Sequence, residues 1–161
     1  MIPVIDLFAG PGGLGEGFSS LKDKSGNPVF QTIMSIEKDE QAHKTLRLRS
    51  FFRKIVSAND NTIPRLYLQY MQTRESAKLD ALIEKYPDEW EAAGYEAMCA
   101  TLKDGDDSLV KKGGERLKKC GVAVGGQWVL IGGALPSLFS CGPFTQGARC
   151  KVGGRSETDP L

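Results

Sequence analysis

Pro3-Val-Ile-Asp-Leu-Phe-Ala-Gly-Pro-Gly-Gly-Leu-Gly-Glu-Gly-Phe18 is the stretch on which the reading of this chain turns. The apolar run from Val4 to Phe8 has strand character, the glycines after it form a tight turn, and the residues beyond resume as a helix. Strand, glycine turn and helix start, in that order, are the parts of a nucleotide-type cofactor site. Glycine lets the backbone approach a ligand closely, and the unpaired N–H groups of a helix start attract electron-rich groups. Gly10, Gly12 and Gly15 satisfy G-x-G-x-x-G, the pattern of dinucleotide-binding folds. In a chain with 19 glycines that pattern alone is weak, and a glycine-rich turn without a ligand is the plain alternative.

The wording Asp6-Leu-Phe-Ala-Gly-Pro-Gly-Gly-Leu-Gly15 is more specific. It resembles the first motif of the cytosine-5 DNA methyltransferases, which bind S-adenosylmethionine. The resemblance implies that Phe8 packs on the cofactor and that the loop of Ala9, Gly10, Gly12, Gly13 and Leu14 wraps its methionine part. The competing reading of the same glycines is an NAD-binding Rossmann oxidoreductase fragment, but a nicotinamide site would not call for an acid at Asp6 and an aromatic at Phe8.

Val29 to Ile36 reads as a second strand ending at Glu37. An acid about 20 residues beyond a glycine loop, at the end of the second strand, is placed to accept hydrogen bonds from ribose hydroxyls. Ser35-Ile-Glu-Lys-Asp-Glu-Gln-Ala-His43 also resembles the second methyltransferase motif, which gives Glu37 that role and sets Lys38 beside the cofactor. A charged helix start explains the same residues, with Asp39 and Glu40 complementing the dipole; both readings can hold together. From Asp39 to about Lys54 the pattern is helical and ends in Arg47, Arg49, Arg53 and Lys54. Cations suit a helix C-terminus, and contact with phosphate is the alternative. His43, the only histidine, reads as a surface residue on this helix.

Length and composition bound the rest. A chain of 161 residues is about one domain and buries about 70% of its unfolded surface. With 40% hydrophobic and 25% charged residues it has the composition of a soluble globular protein. Lys plus Arg number 21 against 20 acids, a net charge of +1, so no global basic excess announces a nucleic-acid surface. Neighbouring cysteines among Cys99, Cys120, Cys141 and Cys150 stand at least nine positions apart, which suggests free thiols in a reducing compartment and no metal site. No signal peptide and no apolar run of about 18 residues is present, so the expected location is cytoplasmic and away from membranes.

Residues 57–120 read as a helical insertion between the second strand and the next core strand. Leu79, Leu82, Ile83 and Tyr86 recur at helical spacing, Pro87 starts another helix with Asp88 and Glu89 in its first turn, and Trp90, Ala93 and Ala97 give that helix an apolar face. Lys103 to Lys119 is charged and glycine-broken, and is expected to be mobile.

Gln127-Trp-Val-Leu-Ile-Gly-Gly133 is a strand entering a second glycine turn, and it resembles the strand before the catalytic loop of the same family. There the glycines are followed by Pro-Pro-Cys-Gln, whose thiolate attacks C6 of a flipped-out cytosine so that C5 can take the methyl group. Here the expected cysteine position holds Pro136, and Cys141 lies five residues farther on, too far for a reaction that needs near-contact geometry. No catalytic residue is assigned. The departure has a form: a two-base offset turns a coding stretch for Pro-Pro-Cys-Gln-Ala-Phe-Ser-Leu-Val-Gly-Arg-Ser-Arg-Arg into one for residues 134–146. Thirteen consecutive residues fit one offset, so residues 134–161 are expected to be an out-of-frame, disordered tail.

The expectation is therefore an α/β, partial Rossmann-like S-adenosylmethionine-dependent methyltransferase domain over residues 1–133, with its helical insertion. It has about three strands, near Val4, Val29 and Trp128, and a long unpaired sheet edge. The resemblance implies a truncated DNA (cytosine-5-)-methyltransferase of the kind found in restriction-modification systems, inactive alone. Double-stranded DNA is the partner of the intact family and a weak partner, or none, for this chain. A non-catalytic S-adenosylmethionine-binding module, or half of an enzyme completed by a separate C-terminal chain, is the alternative.

Overall fold

A computed structural model describes residues 1–103, 105–123 and 125–133. The chain is α/β, with one parallel sheet and helices on both faces. The elements are β1 (Ile2–Leu7), α1 (Gly13–Ser20), β2 (Phe30–Glu37), α2 (Glu40–Ala58), α3 (Arg65–Thr73), α4 (Ser76–Lys85), α5 (Pro87–Glu96), β3 (Ala97–Cys99), α6 (Ser108–Lys119) and β4 (Val129–Gly132). The strand order is β3-β2-β1-β4, with every pairing parallel. The chain thus builds outward from β1 through β2 to β3, then crosses back to add β4 on the other side of β1. That order is compatible with a doubly wound, Rossmann-like fold, and the crevice between the carboxyl ends of β1 and β4 is its topological switch point.

Strand alternation divides the residues between the two faces. Ile5 and Leu7 of β1 share a face with Met34 and Ile36 of β2, and α6 packs there through Leu109 and Leu117. An extra residue in β2, Ile33, lies between the partners of Val4 and Ile5 and shifts the register there, and it joins Met34 in the same core. On the opposite face α1 lies against Asp6, and the α1–α2 pair is tied by Arg53 and Glu16. A second core lies beyond α2: Phe51, Ile55, Leu82 and Ala93 are buried together and join α2 to α4 and α5. Pro87 opens α5 and Asp39 caps α2, its side chain accepting from the Ala42 N–H at 2.8 Å.

The structure corrects three expectations. The sheet has four strands among the described residues, because residues 57–120 contain β3 as well as helices. Ala97, read as part of a helical face, is instead the first residue of β3, paired with Ser35. Within the stretch read as glycine-broken, Ser108–Lys119 forms helix α6, with Leu109, Gly113 and Arg116 buried. The helix packs closely on the sheet at Gly113, where a Cβ would lie 3.3 Å from Ile5 Cδ1. His43 is half-buried, its Nε2 lying 3.1 Å from the Ala97 carbonyl oxygen.

Among the described residues the α6 face is only partly covered. Leu130 of the edge strand and Val110 of α6 are 55% and 70% exposed, and with Trp128, Ile5 and Leu7 they line an apolar groove of about 320 Å³. Among the described residues no helix is long and apolar enough to cross a membrane. The expected tail, residues 134–161 with Pro136 and Cys141, lies outside the described residues.

Candidate functional site

The glycine loop between β1 and α1 stands at the switch point. Its path is fixed from below by two backbone bonds: Ala9 N–H donates to the Ile36 carbonyl at 2.9 Å, and Gly12 N–H donates to the Ala9 carbonyl at 3.0 Å. Gly10 and Gly12 have φ of 56° and 90°, the left-handed region that glycine enters without a steric penalty. Gly12 is also the N-cap of α1 and is buried where a Cβ would come within 2.8 Å of Leu46 Cδ1. Nothing lies within 4 Å of the Cβ positions of Gly10 and Gly13, so the outer side of the loop is open.

Phe8 is the strained member. Its φ of 56° is uncommon for an aromatic residue and costs about 1–2 kcal/mol. In return its ring stays out of the core, 36% exposed, at the end of β1 beside the loop. Non-glycine residues kept in this region cluster at ligand sites, and here the strain leaves an aromatic surface uncovered where the switch point opens.

Glu37 is brought to the loop directly. Its Oε2 accepts the Gly10 N–H at 2.7 Å and its Oε1 accepts the Asp39 N–H at 2.8 Å. One carboxylate therefore joins the loop after β1 to the N-cap of α2. Each oxygen keeps lone-pair capacity for a further donor. The first amides of α1, those of Gly13 and Leu14, have no intrahelical partner, as at any helix start. Leu14, Gly13 and Lys38 are exposed. Ala9 differs from the other expected site residues: its side chain is buried against Leu46 and Ala97, so only its backbone belongs to the site.

The second glycine turn comes to the same place. Gly132 pairs with Leu7, and a Cβ on it would lie 2.6 Å from the Leu7 carbonyl oxygen. Only glycine lets β4 approach β1 so closely there. Gly133 follows beside Phe8, with its Cβ position 3.9 Å from the Phe8 carbonyl oxygen. The two glycine turns thus meet at the switch point.

Beneath the loop lies Asp6, fully buried on the α1 face. Burial pushes its pKa up to about 6, against a smaller lowering by the Gly15 amide. Neither carboxylate oxygen makes a hydrogen bond of good geometry among the described residues. Gly15 packs closely above it: a Cβ there would stand 3.2 Å from Oδ2, tighter than an ordinary contact. The sequence reading marked Asp6 only as part of a motif; its burial came with the packing of α1.

The cations at the end of α2 are mostly engaged within the fold. Arg53 and Lys54 both reach Glu96, each at 2.5 Å, and Arg53 also reaches Glu16. Glu96 is nearly buried, which makes it the acid on which two helices converge. No local pattern around it marked that role. No family model matches this chain, and neither a curated protein nor a solved structure does.

Proposed function

We propose that the loop from Phe8 to Leu14, with Glu37, binds S-adenosylmethionine, and that the chain is the front part of a cytosine-5 DNA methyltransferase catalytic domain without its nucleophile. The observation that carries the reading is the Gly10–Glu37 hydrogen bond. It sets an open glycine loop, an exposed aromatic ring and a carboxylate side by side at the switch point of a parallel sheet. The donor set fits a nucleoside cofactor with a charged amino-acid end. Phe8 offers a ring face to the base, Glu37 has acceptor capacity for ribose hydroxyls, and the Gly13 and Leu14 amides face negative charge. Lys38 adds a cation at the rim. S-adenosylmethionine, when bound, supplies an electrophilic methyl group.

The role of these residues ends at binding and orientation. Pro136 stands where the family has its cysteine, and proline offers no nucleophile. The out-of-frame origin of residues 134–161 accounts for that substitution. The test is methyl transfer from labelled S-adenosylmethionine to duplex DNA by the purified 161-residue chain. No incorporation above background is expected, and incorporation at cytosine C5 would refute the reading.

A second reading is favoured by the α6 face that is half-covered and the edge of β4 that is open among the described residues. A parallel sheet is ordinarily covered on both faces, so a separate chain that supplies further strands and the cysteine would complete the domain. Co-expression with such a chain would then restore methyl transfer, and failure to co-purify would exclude it.

A further inference from the structure

On the outer side of α2, facing α3 and α5, lies a groove of about 440 Å³ that the cofactor reading does not use. Its cationic lining is Lys44 and Arg47 of α2 and Arg74 at the end of α3, with His43, Tyr70 and Trp90 beside them. Among the described residues no carboxylate lines it. The contrast with the next turns of α2 is informative. Arg53 and Lys54 are neutralised by Glu16 and Glu96, whereas among the described residues Lys44, Arg47 and Arg74 form no ion pair.

Arg47 is nevertheless held in place. Its guanidinium lies 3.8 Å from the centre of the Trp90 ring, and Nη2 donates to the Trp90 carbonyl at 3.3 Å. Gly94 makes the room, since a Cβ there would come within 2.9 Å of Nη2. Among the described residues the buried Nε of Arg47 has no hydrogen-bond partner, and burial pulls the guanidinium pKa down. Arg74 is likewise placed over an aromatic ring, 5.8 Å from the centre of Tyr70. Two guanidinium groups positioned by rings, with Lys44 beside them and no acid lining the groove among the described residues, form a site for a multiply charged anion. The planar fork of arginine matches phosphoryl oxygens in particular.

We propose that this groove binds phosphoryl groups. The inference rests on the helical layer alone and is independent of the cofactor reading. Pyrophosphate is titrated into the full chain by calorimetry, and a labelled mixed-sequence DNA duplex is titrated by fluorescence anisotropy over a range of salt. The same titrations are made with Lys44→Gln/Arg74→Gln, both exposed positions, and with Lys24→Gln in the connector before β2 as control. Lys44→Glu repeats the test without touching the Tyr70 ring, and circular dichroism checks that each variant is folded. Pyrophosphate binding weakened about tenfold by the double substitution supports the site with free phosphate as its source. Duplex binding whose log–log salt slope falls by about 1.8 in the double variant supports it with a nucleic-acid backbone as the source. Neither probe binding at about 1 mM, or binding equal in parent and folded variants, overturns it.

Discussion

Replacing Glu37 by glutamine probes the junction on which the site is built. The carboxylate accepts two backbone N–H groups, from Gly10 at 2.7 Å and from Asp39 at 2.8 Å. Glutamine has one carbonyl oxygen, so one of these amides would face an NH₂ group, donor against donor. A hydrogen bond to a charged group contributes about 1.5–3 kcal/mol, and the half-exposed position of Glu37 puts the loss near the lower end, about 1.5 kcal/mol. For a chain of this length that lowers Tm by roughly 3–6 °C. If Glu37 also receives ribose hydroxyls, S-adenosylmethionine binding weakens by about tenfold in addition. Thermal unfolding by circular dichroism reads the first effect and titration calorimetry reads the second. A variant whose Tm stays within about 1 °C of the parent and whose affinity is unchanged would refute both parts of the argument.

The remaining predictions address the loop, the buried acid and the second core. Gly12→Ala combines a φ of 90° with a contact on buried Leu46, so it should cost about 2–3 kcal/mol, whereas Gly10→Ala, at φ 56° with open space, should cost about 1 kcal/mol; equal effects in denaturant unfolding would contradict the geometry. Asp6, with a pKa raised from 3.8 to about 6, holds its proton more tightly in the folded chain than in the unfolded one. Its contribution to stability is full below pH 3.8 and is lost as pH rises through 6, up to about 3 kcal/mol. Asp6→Asn should flatten this part of the stability–pH profile, and an unaltered profile would place the slope elsewhere. Leu82→Ala, at a fully buried position, should cost roughly 3 kcal/mol in urea unfolding, and a loss below about 1 kcal/mol would mean that the helical core is loosely packed.

The elements legible in the sequence are those whose cues are local. Val4 to Leu7 is a mostly apolar strand, broken only by Asp6 and ended by glycines that left-handed turns require, and Asp39 is an N-cap residue before a helical pattern. Pro87 marks the start of α5 for the same kind of reason. Strand β3 was hidden because its three residues continue the apolar spacing of α5, and only pairing with Ser35 and Ile36 makes them a strand. Helix α6 was hidden because Gly113 and Gly114 count against a helix locally. Their value appears only when Gly113 meets Ile5 and Met34 across the sheet. Within the site, the glycines, Phe8 and Glu37 could be named from spacing. That Ala9 turns into the core, and that Glu37 hydrogen-bonds the loop itself, depend on contacts between segments far apart in the chain.

The most direct test is a side-by-side calorimetric titration of the intact chain with S-adenosylmethionine and with NAD. Saturable binding of S-adenosylmethionine that is lost in Phe8→Ala, with no comparable heat from NAD, is the predicted result. Preference for NAD, or no binding of either by a chain shown to be folded, would contradict it.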